Sequence, residues 1–480
     1  MNDITAFFAF LKYCLGSKED MSRVIAGMNW HELYSFASKQ ALLGLCFEGI
    51  ERLGEEYPEE LKQNPIGREL LMTWMGKAQQ IRRQNMKVNA VAGKLFAMLR
   101  VDGMRCCILK GQGNALMYPN PYSRTPGDID VWIDTSRERI MEYAQKKFEL
   151  EDDIRLQHLE TSLDGVPVEL HFFPCSMNNP IYHARLQKWF RRNADLQCSH
   201  IVRLPDEAGD IAIPTAAFNV IYQLTHLYHH FFDEGIGMRQ IIDYFLVVND
   251  FSKNVFLNND LSNYPVNFSN HPVPLSKEGS TFSPSPSSMV FTPPSVPPFP
   301  GDRNLRSGDV TAPSRCSEPL RSKDGGPSKV SPDCAGWDRL DGSGDTTSAC
   351  SLDAGSSSFS ACSSVALDVV QRELKHLGLW KFAQSVMFVM KEVFGLSEDR
   401  MIAPMDEKEG RFLLDEIMRG GNFGQYDDRM GSKVGESKIH RYFRMNLRNL
   451  RFVKHYPAEA VCEPVFRTWF AGWKFINRFK

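Results

Sequence analysis

The sequence predicts an α+β fold, a small strand-rich centre flanked by helical regions on both sides and interrupted by a long disordered insertion. Three observations carry this reading. Apolar residues recur at three- and four-residue spacing before residue 100, after residue 206 and again after residue 366. Short apolar or alternating runs replace that spacing between residues 105 and 173. Finally, 46 of the 110 residues from 251 to 360 are Pro, Ser or Gly, too polar and broken to bury a core. The rest of the 480-residue chain, with 42% hydrophobic and 24% charged residues over its whole length, has ample material for one.

Charge and cysteine usage exclude several classes. Lys and Arg number 56 against 58 Asp and Glu, a net charge of −2, which argues against a surface built throughout to neutralise nucleic-acid phosphates. No run reaches about 18 uninterrupted apolar residues, so no membrane span is expected. The opening MNDITAFFAFLKYCLG lacks a basic n-region and a small-residue cleavage site and reads as an amphipathic helix. Eleven cysteines without a CxxC pair fit reduced thiols in a cytoplasmic protein better than a disulfide framework or a zinc site.

In chain order, residues 1–100 form an N-terminal helical region, with Ile4, Phe7, Phe8 and Leu11, then Leu33, Phe36, Leu42 and Leu43, then Val88, Val91, Leu95 and Leu99 at helical spacing. A catalytic core is expected at 101–205. Arg105–Leu109 reads as a buried strand entering the turn Lys110-Gly111-Gln112-Gly113, with Cys106 and Cys107 facing opposite sides. Ile129–Ile133 is a second strand, and Thr135-Ser136-Arg137-Glu138 is a capping-box signature for a helix to about Leu150. The runs Ile154–Leu163 and Val166–Phe173, separated by Asp164-Gly165, form a hairpin. Helical spacing returns over 206–250, and 251–365 is the Pro/Ser/Gly-rich insertion. There Pro293-Pro294-Ser295-Val296-Pro297-Pro298 is a linker or a polyproline ligand. Residues 366–480 form a C-terminal helical region, with helices at 366–396, 408–419 and 438–455.

Gly127-Asp128-Ile129-Asp130-Val131 is the most informative pentapeptide. Side chains two apart on a strand share a face, so both carboxylates project together while Ile129 and Val131 face the core. Like charges so close call for a cation, and hard oxygen ligands suit Mg2+ or Mn2+. Glu169, on the second hairpin strand, supplies a third carboxylate. Three carboxylates on neighbouring strands can hold two metal ions about 3.5–4 Å apart, the arrangement for in-line phosphoryl transfer.

The run Leu109-Lys110-Gly111, Tyr118-Pro119, Arg124 and Gly127-Asp128-Ile129-Asp130, followed by Val168-Glu169-Leu170-His171, resembles the nucleotidyltransferase superfamily of the DNA polymerase β type. More narrowly, it is similar to an uncharacterised nucleotidyltransferase family of Bacteroidetes. That resemblance extends to His226–Asp243, Gly420-Gly421-Asn422-Phe423-Gly424 and Tyr456-Pro457-Ala458-Glu459, so it spans about residues 1–250 and 366–475. It implies a small mixed sheet and a divalent metal, Mg2+ or Mn2+. It also implies transfer of a nucleoside monophosphate from an NTP donor to an acceptor, whether small molecule, RNA end or protein. By the same match Asp128 and Asp130 are metal ligands and Glu169 the third carboxylate, which can also help deprotonate an acceptor hydroxyl. The superfamily's Gly-Ser turn is replaced here by Lys110-Gly111-Gln112-Gly113, where Lys110 can supply charge and the turn N–H groups hydrogen bonds. This turn is neither a Walker A loop nor a dinucleotide fingerprint, since Leu116 occupies the third glycine position.

Several further residues carry two readings. Arg124 either clamps a phosphate or forms a salt bridge that orients its loop. His171 shares a strand face with Glu169 and is a metal-shell or substrate contact, or a structural histidine. His226, His229 and His230 lie on one helix face, with substrate-lining or structural roles for His226 and His230. Arg239 reaches the nucleotide or pairs with Asp243 one turn later. Lys438, Arg441, Arg444, Arg448, Arg451 and Lys454 form a basic helical stripe, either a polyanion contact or a solvated face. Two functions remain open: a metal-dependent nucleotidyltransferase, or a catalytically lapsed nucleotide- or partner-binding module on the same scaffold.

Overall fold

Helices form where apolar stripes recur. Before the first strand these are α1 (Asp3–Cys14), α2 (Ser22–Ala26), α3 (Trp30–Lys39), α4 (Leu43–Glu56), α5 (Pro58–Gln63) and α6 (Arg68–Val101). The 34-residue α6 buries Val88, Val91, Leu95 and Leu99 on one stripe of its second half. The computed structural model describes residues 3–150, 155–257, 356–427, 429 and 438–477. These all fall within one unit of the chain, Met1–Ser269 together with Asp353–Lys480. Residues 258–355, most of the expected insertion with its proline run, and 151–154, at the start of the first hairpin run, lie outside the described residues.

The centre is a mixed four-stranded sheet. Its strands are β1 (Cys106–Leu109), β2 (Ile129–Ile133), β3 (His158–Leu163) and β4 (Val166–His171), in the order β1-β2-β4-β3. β2 and β4 are parallel, and the other neighbours are antiparallel. Between them lie the one-turn helix α7 (Gly111–Ala115) and α8 (Arg137–Lys147). Asp164 and Gly165 both take positive φ, 50° and 70°, the two-residue turn whose twist matches the strands it joins.

Period-two alternation divides the sheet's side chains between two cores. Cys106, Ile108, Ile129, Val131, Ile133, Val168 and Leu170 pack against α6 and α8. Cys107, Leu109 and Trp132 point the other way, towards α9 (Pro180–Ser199) and α10 (Ala216–Asp233). There Trp132 stacks on Phe218 with ring centroids 6.2 Å apart. Each fully buried large apolar side chain contributes about 1.5–3 kcal/mol, so both faces are held firmly.

The remaining elements are β5 (Ile201–Arg203), β6 (Asp210–Ala212), α11 (Met238–Leu257), α12 (Ser356–His376), α13 (Trp380–Phe394), α14 (Glu407–Gly420), α15 (Lys438–Leu450), α16 (Pro457–Ala460) and α17 (Cys462–Asn477). Four boundaries differ from the expectation. The β5–β6 hairpin reaches into the region read as helical from 206, because three-residue strands are too short to show alternation. Ser136, not Thr135, caps α8, its Oγ accepting from Arg139 N at 3.3 Å, and the helix ends at Lys147. The helix expected over 366–396 breaks at Gly378, whose φ is 75° and where a Cβ would lie 2.4 Å from the Tyr182 ring. α11 and α12 run into the residues assigned to the insertion, to Leu257 and from Ser356.

The basic stripe at 438–454 is divided between buried and exposed positions among the described side chains. Arg448 is buried and donates to the carbonyls of Phe231 and Phe232, closing the C-terminal end of α10. Arg444 donates to Arg429 O, and Arg451 pairs with Glu416. Phe443, Leu447 and Leu450 of α15 are each more than 60% exposed. The guanidinium groups of Arg444, Arg448 and Arg451 meet carbonyls and a carboxylate within the fold, and Arg451 and Lys454 stay exposed.

Candidate active site

The site is built on the sheet face that also carries Trp132. Asp130 lies opposite Glu169 across the parallel β2–β4 pair, and Glu169 lies opposite Glu160 on β3. The next row is Trp132, His171 and His158 in the same order. A row of carboxylates therefore runs across three strands beside a row holding two imidazoles. Asp128 stands exposed just before β2, whereas Asp130 is 2% exposed. Carboxylate oxygens of Asp128, Asp130 and Glu169 all lie within 4.8 Å of one another, so the three can hold a metal ion.

Their charges are unevenly compensated. The negative charge of Asp130 pushes Asp128 up to about 6. Burial alone would raise Asp130, but Lys110 and His171 outweigh it and hold that carboxyl well below the usual range. Burial likewise opposes ionisation of Glu169, and the His171 hydrogen bond reverses the balance. His171 Nε2 lies 3.1 Å from Asp130 Oδ1 and 3.0 Å from Glu169 Oε2. Against its burial, those two carboxylates push His171 up to about 9. The donor set fits a hard divalent cation: carboxylate oxygens converge, and their mutual repulsion is only partly relieved by protein cations.

Lys110 lies at the join of β1 and α7, with φ 51° and ψ −138°. Its Nζ is 2.9 Å from Asp130 Oδ1 and 2.7 Å from His226 Nε2. Burial, then the Lys110 charge, holds His226 well below the usual imidazole range, so its Nε2 accepts from the ammonium. His230 Nε2 stands 3.0 Å from the same nitrogen, and its ring meets Phe423 edge-on at 5.3 Å. The structure thus brings Lys110, His171 and His226 to the carboxylates, with His230 one step behind.

Of the other expected residues, Gly111 stays beside the carboxylates, and Gln112, Arg124 and Arg239 make contacts elsewhere. Gln112 is buried, and its amide donates to Asn89 Oδ1 on α6. Gly111 lies beside Asp128, with a Cβ built on it 3.8 Å from Asp128 O. Of the two roles open to Arg124, the structure displays the ion pair. Its Nε and Nη2 donate to Asp243 Oδ1 and Oδ2 at 2.9 and 2.8 Å, and Tyr118 donates to the same carboxylate at 2.7 Å. Arg239 Nη1 lies 3.8 Å from Asp243 Oδ2, its Nε donates to Asn422 Oδ1, and its guanidinium sits 5.3 Å from the Phe423 ring.

Two residues at the site, His158 and Gln157, escaped the sequence reading, and Phe423 entered it through the resemblance without a role. His158 and Gln157 flank His171, and Phe423 covers His230 and Arg239. The Asp164-Gly165 turn could have found His158, since a two-residue hairpin places residue 158 opposite 171. The motif around Phe423 gave no sign of its contacts. Its loop meets the Gly235–Gly237 break through backbone contacts so close that a Cβ on Gly237 would lie 2.7 Å from Asn422 Cα.

No curated protein and no solved structure matches the chain. Residues 26–262, which carry Lys110, Asp128, Asp130, Glu169, His171 and His226, match the family model described as an uncharacterised nucleotidyltransferase, and it is to that family that this part of the chain is similar.

Proposed function

We propose that the chain is a metal-dependent nucleotidyltransferase of the DNA polymerase β type. An acceptor oxygen or nitrogen attacks the α-phosphorus of an NTP, the bond from that phosphorus to the bridging oxygen breaks, and pyrophosphate leaves. The observation that carries this reading is the convergence of Asp128, Asp130 and Glu169 within 4.8 Å on one sheet face. In this reading all three hold Mg2+ or Mn2+, and Glu169 also accepts the acceptor's proton. A bound divalent ion supplies charge stabilisation at the α-phosphate. Lys110, already balanced between Asp130 and His226, turns its ammonium to the triphosphate, and His226 steadies it. His171 keeps Asp130 and Glu169 aligned and ionised.

A second reading, a lapsed nucleotide- or partner-binding module, is favoured by one observation. Lys110 and His171 both reach Asp130 Oδ1, at 2.9 and 3.1 Å, so that carboxylate is satisfied by protein cations alone. The two readings separate in one experiment. The full chain is incubated with α-labelled NTPs, Mg2+ or Mn2+, and RNA, lysate metabolites or no added acceptor. Asp128→Asn and Asp130→Asn are expected to cut label transfer roughly a thousandfold, the several kcal/mol a bound cation contributes. No transfer by the wild type, with nucleotide binding indifferent to metal, would refute the enzyme reading.

A further inference from the structure

The imidazole row beside the carboxylates has its own geometry. Ligand atoms of His158, Glu169 and His171 lie within 4.8 Å of one another. His158 faces His171 across the β3–β4 pair, with ring centroids 5.0 Å apart. Both ring nitrogens of His158 are shielded from solvent, and neither makes a hydrogen bond among the described residues. Its Nδ1 stands 3.4 Å from Glu169 Oε2, and its Nε2 stands 3.6 Å from Glu160 Oε1. On the other side, His171 Nε2 is 3.0 Å from the same Glu169 oxygen.

The 3.4 and 3.0 Å separations from Glu169 Oε2 match two edges of a coordination polyhedron. Donors about 2.1 Å from a metal are spaced about 3.4 Å apart in a tetrahedron and about 3.0 Å in an octahedron. We propose that His158, Glu169 and His171 form a second cation site on this sheet face, one that takes an ion of the Zn2+ or Co2+ class in preference to Mg2+. Two imidazoles and one carboxylate suit such an ion, whereas Mg2+ takes oxygen ligands. Glu169 belongs to both groups, one oxygen towards the imidazoles and the carboxylate as a whole beside Asp130. Loading the site replaces the Nε2 proton of His171. The Gln157 amide, whose nitrogen lies 3.3 Å from His171 Nδ1 and donates to Pro174 O at 3.0 Å, packs at the outer edge of that imidazole, where a ligating imidazole is oriented. The proposal stands on this geometry and not on the transfer reaction.

The test is calorimetric titration of the chelator-stripped full chain with Zn2+ in excess Mg2+, with X-ray absorption at the zinc edge. One equivalent is expected to bind despite the Mg2+, and the spectrum is expected to report two imidazole ligands. His158→Gln should weaken Zn2+ binding by at least about tenfold, and His158→Asp, which restores a donor, should recover part of it. Asp128→Asn should leave the zinc stoichiometry unchanged while removing Mg2+-dependent nucleotide binding, so each reading can fail alone. Complete displacement by Mg2+, a spectrum with oxygen donors only, wild-type affinity in His158→Gln, or loss of Zn2+ in Asp128→Asn would overturn the site.

Discussion

Replacing Arg124 by Ala is expected to unfold the protein more readily rather than to weaken nucleotide binding directly. The Arg124 and Asp243 side chains are 4% and 6% exposed, and the guanidinium meets the carboxylate through two parallel hydrogen bonds. Removing one partner of such a buried pair costs about 3–5 kcal/mol, because the other charge stays behind without compensation. Asp243 would keep the Tyr118 hydroxyl at 2.7 Å and Arg239 at 3.8 Å, which places the loss at the lower end, about 3 kcal/mol. Adding Asp243→Asn removes the stranded charge and leaves an acceptor for Tyr118. The double variant should therefore be more stable than the single one by about 1–2 kcal/mol. Urea unfolding followed by tryptophan fluorescence and far-ultraviolet circular dichroism reads both values, provided the two probes coincide. A fully stable R124A protein that has lost nucleotide affinity would refute the argument and make Arg124 a phosphate clamp.

Two further outcomes test the frame around the site. Glu459 is buried and accepts from the backbone N–H groups of Asn178 and Asn179, joining α16 to the start of α9; burial outweighs those donors and pushes its carboxyl from 4.5 up to about 7. The folded state thus keeps the proton longer than the unfolded chain, so this group's stability is complete below pH 4.5 and lost as pH rises through about 7. The loss amounts to about 3 kcal/mol, and Glu459→Gln should flatten that slope in the urea midpoint; an unchanged slope would assign it to another group. Gly237→Ala would set a Cβ 2.7–2.9 Å from backbone atoms of Gly421 and Asn422, whereas Gly127→Ala meets nothing within 4 Å. The first should destabilise by about 1–3 kcal/mol and the second by less than about 0.5, measured by the same unfolding assay.

What was legible in the sequence was local. The Asp164-Gly165 turn sets the β3–β4 register, and period two puts Asp128 beside Asp130 and Glu169 beside His171. The order β1-β2-β4-β3 was not legible, because β2 pairs with a strand beyond α8 and the choice depends on packing against α6 and α10. The partner of Arg124 lies 119 residues away, so its two readings could not be separated without the fold. Helical spacing identified the basic stripe as one side of α15 but not the direction it faces. The carbonyl ends of α10 lie within reach of Arg448, and their need for donors draws that side chain inward, while Phe443, Leu447 and Leu450 are exposed. Phe423 illustrates the same limit, since its place over His230 and Arg239 depends on the meeting of two distant loops.

Lys110 shows how the backbone at this site is bound to its chemistry. With φ 51° and ψ −138° it occupies a conformation that glycine reaches freely and that a Cβ opposes. Strain of this kind costs about 1–3 kcal/mol and persists only where other interactions hold it. Here they are the hydrogen bonds that the Lys110 carbonyl accepts from the N–H groups of Gly113 and Asn114, at 3.1 and 3.4 Å, together with the contacts of Nζ with Asp130 at 2.9 Å and His226 at 2.7 Å. Lys110→Gly and Lys110→Ala both remove the ammonium, but only glycine relieves the backbone. Glycine also gives the unfolded chain extra freedom, worth about 0.5–1 kcal/mol, so the net expectation is that K110G is more stable than K110A by about 1 kcal/mol. Both should lose affinity for a nucleoside triphosphate equally, since the charge is absent from both. If K110A proves as stable as K110G, the backbone relaxes once the ammonium is gone, and the loop imposes no strain of its own at this position. If instead the order holds and both lose nucleotide, a lysine is kept where glycine would fold better because its ammonium is needed beside Asp130.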